Sequence, residues 1–571
     1  MTTSTDIASA KNTKEMAARI GWAALICATL YVCYFSHLGA IGFVGPDEPR
    51  YAWIARDMAE TGDWVTPRLY GRPWFEKPPL YYWGAAICFK LFGVSEAAAR
   101  LPSATSALLA TLAMAWLGWR VYGGETARWV LLLLPTTVGM IGFSHSAATD
   151  MPFSAMLTIA MVCAAVVLGL VPDRSRLDGA QHSLDSARDK AAPLPRDGAV
   201  ALRRWFALLL FGFFLGLAVL AKGPAGVVLC GGGVFFWALF TKRWRDALRL
   251  LHPVAMVIFC VTALPWYILC ARRNPDFFRI FIIEHNFNRY LTHEFQHIQP
   301  FWFYIPVVLV VLLPWTLFLI PVAGDAKKSF PNSSPSSGAI FFGSWSLFPL
   351  IFFSISKSKL PGYILPSIPP LILLCTHAAK MLASTTSRFA RAIFCGTAII
   401  TIVLVGAAAR YNLSLRRSFP FPRLAYDGSI IFPLLYFVGL LLGLSAPFLA
   451  FWKSSRAGVL CSVGGLVAIL WSTPLTNFDS ALSARQASEG VFKLGGQNAD
   501  VRLCGVARSV RYGFNFYVRR ELADWDEKEP RTRSVVVVGR PSCATQIRDA
   551  NYALKGEMDF PRWTLLDVEP R

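Results

Sequence analysis

Two acidic positions directly follow hydrophobic stretches of the sequence. Asp47 stands with Glu48 and Arg50 in VGPDEPRY, and Asp150 stands in SHSAATDMP. A carboxylate at a membrane interface is partly desolvated, so it can act as a general base or orient a nucleophile. A simpler interpretation is local, because Asp and Glu suit the first turn of a helix and Asp150 can cap a helix beginning at Met151. Asp47 and Asp150 are therefore candidate catalytic residues, with both interpretations open.

Cations of the kind that bind phosphate lie near other hydrophobic runs. Lys77 follows Glu76 in FEKPPLYYW, and the two prolines after it stiffen the backbone that presents its ammonium group. The stretch SKSKLPGYILP places Lys357, Lys359 and Tyr363 at the start of another hydrophobic run. A basic residue at the end of a membrane span can also reach the lipid headgroups without any catalytic role. These side chains are candidates for binding a phosphate group.

A third stretch, EHNFNRYLTHEFQHIQPFW, mixes acidic, basic and imidazole side chains in an amphipathic pattern. Glu284, His285 and Arg289 lie at its beginning. Its histidines make a divalent metal conceivable, but neither HExxH nor a comparable ligand spacing is present. The twelve cysteines also lack the CxxC spacing of zinc sites. A divalent metal is thus possible, and the residues point to no cofactor with certainty.

The chain that carries these residues is hydrophobic along most of its length. Of its 571 residues, 54% are hydrophobic and only 16% are charged, which is typical of a polytopic α-helical membrane protein. About thirteen runs reach the roughly 17 to 25 residues that a bilayer crossing needs. The net charge of +21 does not indicate nucleic acid, because no nucleic-acid-binding motif accompanies it. Membrane lipids, anionic ones above all, are the expected partners of the basic residues.

The basic residues of the short loops predict how the chain is oriented. If the N-terminus is cytoplasmic, the basic loops fall on the cytoplasmic side, including a flexible loop at 173–204. The juxtamembrane segment 45–95, the loop 271–301 and the chain from 475 onward then face the opposite side, where the candidate acids and cations gather. That arrangement suits a reaction in which a lipid-linked phosphate leaves, since cations stabilise the departing phosphate and a carboxylate positions or deprotonates the acceptor.

The last part of the chain has a different character. Residues 475–571 hold short β-prone runs such as SVVVVGRP between polar stretches, which predicts a small soluble α/β domain after a transmembrane domain at 1–474. Cys504 and Cys543 are the only cysteines of this part. They either form a disulfide in an oxidising compartment or remain two buried thiols.

Four stretches together resemble a known family. They are DEPRYAWIARDMAETGDWVTPRLYGRPWFEKPPLYYW (47–83), the turn at Asp150, the EHNFNRY loop with QPFWFYIP (284–306), and SKSKLPGYILPSIPP (356–370). The chain is similar at these positions to polytopic glycosyltransferases that use polyprenyl-phosphate sugars, and most similar to the bacterial aminoarabinose lipid A transferases of the protein O-mannosyltransferase superfamily. From about residue 375 onward, the similarity is one of architecture only.

The resemblance implies a C-type glycosyltransferase fold with periplasmic juxtamembrane helices and a C-terminal periplasmic domain. It also implies an undecaprenyl-phosphate-linked sugar donor and lipid A as acceptor in the bacterial inner membrane. By motif position, Asp47 is the acid next to the reacting centre and Asp150 supports it. The donor phosphate is expected to contact basic and phenolic side chains: Lys77, Arg289 and Tyr363, with Lys357 and Lys359 as further candidates. The neighbours expected around this site are Glu76, Glu48, Arg50 and His285.

Several alternatives stay open at this point. Arg272 or Arg273 can match the family position in place of Arg289. A hydroxyl acceptor on a protein or another glycan needs Asp47 as a base, whereas a lipid A phosphate is already anionic and needs it only for orientation. A transporter of lipid-linked sugars is a different class, and it predicts ionisable residues near the middle of spans and two related halves. The spans here are nearly free of charge, and no internal repeat is evident.

Overall fold

In the computed structural model, the described residues are 4–172, 197–288, 299–324, 337–385, 387–418, 431–452, 454–473, 475–496, 499–525, 533–549 and 552–570. The chain divides into two compact units. The first comprises residues 1–36, 104–144 and 150–473 and is called the helical unit. The second comprises residues 37–103, 145–149 and 474–571 and is called the mixed unit. The sequence-based domain boundary at 474/475 stays a prediction.

Helices account for most of the described residues. In the first half of the chain they are α1 (Ser4–Tyr34), α2 (Asp47–Thr61), α3 (Leu80–Phe92), α4 (Glu96–Tyr122), α5 (Gly124–Leu133), α6 (Val138–Ser144), α7 (Asp150–Val167), α8 (Asp197–Lys222), α9 (Ala225–Thr241), α10 (Trp244–Leu248) and α11 (Pro253–Arg273). A π-helix follows at Arg279–Asn288.

The second half continues with α12 (Tyr304–Val311), α13 (Ser337–Ile355), a 3₁₀ segment at Pro361–Ser367, α14 (Ile368–Ala383), α15 (Arg388–Ser418), α16 (Ile431–Trp452) and α17 (Ser455–Ser472). The C-terminal helices are α18 (Asp479–Leu482), α19 (Arg485–Gly495), α20 (Arg508–Val518) and α21 (Pro541–Asp549). The seven strands described are β1 (Arg68–Leu69), β2 (Arg72–Pro73), β3 (Asp500–Cys504), β4 (Ala523–Asp524), β5 (Ser534–Val538), β6 (Tyr552–Asp559) and β7 (Thr564–Pro570).

Nine helices in the described part of the chain are long and apolar enough to cross a membrane, or up to eleven if each of two bent pairs counts as one span. The predicted count of about thirteen is therefore not confirmed. The bent pairs show one reason, because α5 and α6 meet at 62° and the segments Phe301–Val311 and Trp315–Gly324 meet at 111°. Pro135 and Pro314 lie in the two breaks. A proline lacks the N–H group that a continuous helix needs, so a single hydrophobic run becomes two short helices.

The first part of the mixed unit is built on α2 and α3. Asp47 and Glu48 occupy the first turn of α2, where carboxylates favour the positive end of the helix dipole. Gly62 ends the helix in the left-handed conformation that glycine adopts readily. The buried face of α2 packs against apolar residues of α3. α2 therefore begins at Asp47 and has a fixed direction, so the packing of this helix sets the position of the candidate acid.

The C-terminal part of the mixed unit contains a five-stranded sheet in the order β4-β3-β5-β7-β6. β3 pairs in parallel with β4 and β5, and β7 pairs antiparallel with β5 and β6. All five residues of β5 are buried, as expected for an apolar strand covered on both faces. Cys504 at the end of β3 forms a disulfide with Cys543 of α21, with 6.0 Å between the Cα atoms. The predicted small α/β region is confirmed, and the structure selects the disulfide over two separate thiols.

Candidate active-site clusters

Asp47 lies at the start of α2 in the mixed unit with its side chain 48% exposed. Its carboxylate accepts a hydrogen bond from Arg50, one helical turn further on. The guanidinium of Arg50 also donates from Nη1 to Glu76 Oε2 at 3.0 Å and from Nε to the carbonyl of Pro46 at 2.9 Å. One buried cation thus links an accessible carboxylate to a buried one. Together with Lys77, these residues are called the Asp47 cluster.

Arg50 is fixed by its surroundings. Only 7% of its side chain is exposed, and its Cζ atom lies 5.2 to 5.7 Å from the ring centroids of Tyr51, Trp74 and Tyr512. Burial disfavours the guanidinium charge, but Glu76, Tyr51 and Asp47 outweigh this effect and raise the pKa of Arg50. Arg50 is therefore a permanent cation in a rigid setting, and it holds the Asp47 carboxylate in one orientation.

Lys77 joins this cluster through its sequence neighbour. Its ammonium nitrogen lies 3.9 Å from Glu76 Oε1, and 14% of its side chain is exposed. Pro79 immediately precedes the first residue of α3, so Lys77 is carried on a short stiff segment between β2 and that helix. Glu76 therefore stands between two cations, Arg50 on one oxygen and Lys77 on the other.

Glu48 has a different environment from its neighbour Asp47. Only 7% of its side chain is exposed, and Arg100 contacts both of its oxygens, at 3.0 and 2.7 Å. The same carboxylate accepts the amide N–H groups of Val44 at 2.8 Å and Ala147 at 2.6 Å. Its hydrogen-bonding capacity is thus used within the protein. Glu48 fixes the entry to α2, and Asp47 is the acid that remains accessible.

Asp150 begins α7 in the helical unit and belongs to a second cluster. Its carboxylate accepts a hydrogen bond from the ammonium group of Lys222, the last residue of α8. The Lys222 nitrogen also lies 4.8 Å from the ring centroid of Tyr363 and 5.5 Å from that of Phe153. A Cβ atom at Gly362 would meet Asp150 Oδ1 at 2.8 Å, so only glycine allows this close approach. Asp150, Lys222 and Tyr363 are called the Asp150 cluster.

Lys222 is a member of the Asp150 cluster that the sequence interpretation missed. It stands in AKGPAG, which the hydrophobicity pattern explains as a simple turn between two spans. The sequence feature that could have identified Lys222 is its position at the end of an apolar run. A lysine that is removed from water at such a position needs a carboxylate partner. Its side chain is only 11% exposed, so its charge is balanced by Asp150 rather than by water.

The two lysines of SKSKLPGYILP have different roles. Lys357 is exposed, whereas Lys359 is buried and donates to the carbonyls of Gln299 at 3.0 Å and Ser356 at 2.5 Å. Burial, and then the charge of Lys357, lower the pKa of Lys359. Lys359 therefore ties together two loop segments, which is a structural task, while Lys357 is accessible to an anion.

Two candidate residues cannot be placed. Arg289 lies outside the described residues, and of His285 only the backbone, within the π-helix Arg279–Asn288, is described. The histidine-bearing segment 289–298 is likewise outside them. Within the described ranges, no group of three His, Cys, Asp or Glu side chains is arranged to hold a metal ion. A divalent metal therefore stays a prediction from the sequence.

Comparison with known proteins adds to this geometry. Residues 22–281 match the family model described as dolichyl-phosphate-mannose-protein mannosyltransferase. Two curated relatives are named undecaprenyl phosphate-alpha-4-amino-4-deoxy-L-arabinose arabinosyl transferase. The Enterobacter sp. protein is 30% identical over 59% of this chain and 56% of its own length. The Aeromonas salmonicida protein is 28% identical over 91% of this chain and 87% of its own.

A solved structure decides the fold. The crystal structure of ArnT from Cupriavidus metallidurans bound to undecaprenyl phosphate superposes with a TM-score of 0.73 at 22% sequence identity, covering 96% of this chain and 98% of that one. The chain is thus similar in sequence to these arabinosyl transferases and in fold to ArnT. The C-type glycosyltransferase fold expected from the sequence is confirmed, and the protein is a multi-pass membrane protein. The matched part of the chain spans little more than half the length of the first curated relatives, 56% and 57%.

Proposed function

We propose that this protein belongs to the ArnT family and transfers a sugar, 4-amino-4-deoxy-L-arabinose, from undecaprenyl phosphate to lipid A. The names of its curated relatives and the bound undecaprenyl phosphate of the similar crystal structure support the donor. The observation that carries the proposal is the contrast between two adjacent acids. Asp47 is half exposed and oriented by a buried arginine, whereas the oxygens of Glu48 are occupied by internal donors. A single oriented, accessible carboxylate is what a transfer centre requires.

The reaction breaks the bond between the anomeric carbon of the sugar and a phosphate oxygen, and it forms a bond from that carbon to an acceptor oxygen. The bonding electrons leave with the phosphate, so negative charge grows on it, and a nearby cation stabilises this charge. Lys77 is proposed for this task because it adjoins Asp47 through Glu76 and Arg50. Asp47 takes the proton of a hydroxyl acceptor, or it orients an acceptor phosphate that has no proton to lose.

The Asp150 cluster supplies further groups of the kind that binds phosphate. Lys222 offers an ammonium group and Tyr363 a phenol hydroxyl, while the Asp150 carboxylate holds Lys222 in place. We propose Tyr363 as a phosphate contact, in line with the family motif SKSKLPGYILP, and we add Lys222 to the set. Arg289 and Lys357 remain proposed contacts on sequence grounds.

The proposed location is the bacterial inner membrane, with the N-terminus in the cytoplasm and the segments 45–95, 271–301 and 475–571 in the periplasm. The loop charges support this orientation. The disulfide between Cys504 and Cys543 also supports it, because disulfides persist in an oxidising compartment. A cysteine at exposed Arg72 should react with an impermeant thiol reagent in intact cells. A cysteine at exposed Arg245 should stay unlabelled until the membrane is opened, and the reverse result would invert the topology.

The function is tested in two steps. Mass spectrometry of lipid A from cells with and without the gene should show aminoarabinose on lipid A only when the gene is present. The purified protein in detergent should then transfer the sugar from the undecaprenyl-phosphate donor to lipid A. Transfer without sealed compartments excludes a transporter, since a transporter moves its substrate without breaking the sugar–phosphate bond. If lipid A is unchanged and the sugar is found on a protein or another glycan, lipid A is refuted as the acceptor, whereas the glycosyltransferase reaction still stands.

A further inference from the structure

The loop that leads into α2 is held by side chains instead of by regular secondary structure. Three consecutive amide groups, at residues 42–44, all donate to side-chain oxygens. The Gly42 N–H group donates to Asp479 Oδ1 at 2.7 Å, and the Phe43 N–H group donates to the Tyr517 hydroxyl at 2.9 Å. Both acceptors come from the C-terminal part of the chain, more than 400 residues further on.

The carbonyl groups of the same loop are bound in the same way. Arg485, also from the C-terminal part, donates to the carbonyls of Gly39 at 3.0 Å and Ala40 at 2.9 Å. Arg100 donates to three further carbonyls, those of Leu38, Ile41 and Gly42. Buried backbone groups must find partners, and here side chains provide them. The path of residues 38–44 is therefore set by residues that are distant in sequence.

The C-terminal contributors are themselves tightly organised. Asp479 is 1% exposed, and besides Gly42 it accepts hydrogen bonds from Ser483 at 2.5 Å and Arg485 at 2.8 Å. A Cβ atom at Gly42 would lie 2.4 Å from Ser483 Oγ and 2.6 Å from the Tyr517 hydroxyl, so the loop fits here only as glycine. The contact between the loop and residues 479–517 is close-packed on both sides.

We propose that Asp479 and Tyr517 are positioning residues for Asp47, which makes the C-terminal part of the chain a component of the transfer centre. The inference rests on the proposed function of Asp47. Only four residues separate Gly42 from Asp47, and the carbonyl of the last of them, Pro46, accepts a hydrogen bond from Arg50. A shift of the loop is thus passed on to the first turn of α2. Displacement of a reacting group by about 1 Å can cost on the order of 10² in rate.

Tyr517→Phe is the sharpest test, because it keeps the ring that stacks near Phe43 and removes only the hydroxyl group. We expect kcat per folded protein to fall roughly tenfold or more, and the donor KM to change less than about threefold, since the reacting group moves while donor contacts persist. Hydrogen–deuterium exchange of the peptide covering 42–44 should become faster. Asp479→Asn, which keeps an acceptor oxygen, should lose less activity than Asp479→Ala.

Asp567→Asn is the matched control. Asp567 is 2% exposed in β7 and pairs with Arg533 at 2.6 Å, so its loss weakens the sheet without touching the loop. It should lower the thermal midpoint and leave both kcat per folded protein and the exchange of 42–44 unchanged. Equal kcat losses in Tyr517→Phe and Asp567→Asn, or unchanged exchange at 42–44 in Tyr517→Phe, would overturn the inference. A wild-type protein without transferase activity would instead refute the proposed function, and the exchange data would still show whether Tyr517 fixes the loop.

Discussion

Replacing Asp47 by Asn is the most direct test of the transfer centre. The substitution keeps the size and hydrogen-bonding geometry of the side chain and removes its charge. Asp47 is 48% exposed, and exposed ion pairs contribute only about 0–1 kcal/mol to stability. Arg50 also retains Glu76 as a partner at 3.0 Å. The variant should therefore fold with a thermal midpoint close to that of the wild type.

The rate should respond much more strongly than the stability. A positioned base or electrostatic group contributes on the order of 10² or more to the rate, which corresponds to about 2.7 kcal/mol of activation free energy. Glu48→Gln should show the opposite pattern. It removes the carboxylate partner of Arg100, whose side chain is 5% exposed, and breaking a buried pair costs about 3–5 kcal/mol. We expect a lower thermal midpoint, with the rate per folded protein reduced clearly less than in Asp47→Asn.

Both variants are measured in proteoliposomes with the same undecaprenyl-phosphate donor, and the rates are divided by the folded fraction from size-exclusion chromatography. The decisive quantity is the ratio of the two corrected rates. The reasoning would be refuted if Glu48→Gln kept its thermal midpoint and lost as much rate as Asp47→Asn. That result would place the reacting acid at Glu48, in conflict with the four hydrogen bonds that occupy its oxygens.

Three further predictions address other parts of the protein. Lys222→Met should lower the transfer rate at least tenfold. Adding Asp150→Asn should lower the rate little further, because the two side chains act as a pair. Additive losses in a double-mutant cycle would contradict the Asp150 cluster. Lys77→Met should reduce transfer without lowering the thermal midpoint; a rate near that of the wild type would exclude a necessary phosphate contact. Replacing Cys504 by Ser should destabilise the C-terminal sheet by about 2–4 kcal/mol in thermal unfolding. Treating the wild-type protein with a reductant should have the same effect. An unchanged thermal midpoint in both the variant and the reduced wild type would contradict the disulfide to Cys543.

Local sequence was enough to predict the membrane class, the β-prone character of the C-terminal part and the candidate acids. A run of roughly 20 apolar residues is long enough to cross a bilayer, so hydrophobic runs identify candidate spans without knowledge of the fold. The count of about thirteen spans was not confirmed in the described part of the chain. Pro135 and Pro314 break two runs into bent helix pairs, and a hydrophobicity count treats each run as continuous.

The distinction between neighbouring acids required the tertiary structure. Asp47 and Glu48 have the same charge and similar local preferences, so the sequence alone places either at the start of α2. Arg100 and the amide of Ala147, which lie 52 and 99 residues from Glu48, occupy the oxygens of Glu48 and leave Asp47 accessible. Such partners are set by packing, which no local pattern encodes.

The same reason explains what was missed. Lys222 approaches Asp150 across 72 residues of sequence, and Asp479 and Tyr517 reach the loop before Asp47 across more than 400. The sequence by itself determined which residue types are present, which runs are apolar enough to span a membrane and which motifs resemble the family. Only the tertiary structure decided which charges pair and which carboxylate stays accessible, because pairing depends on distances that the folded chain alone brings within hydrogen-bonding range.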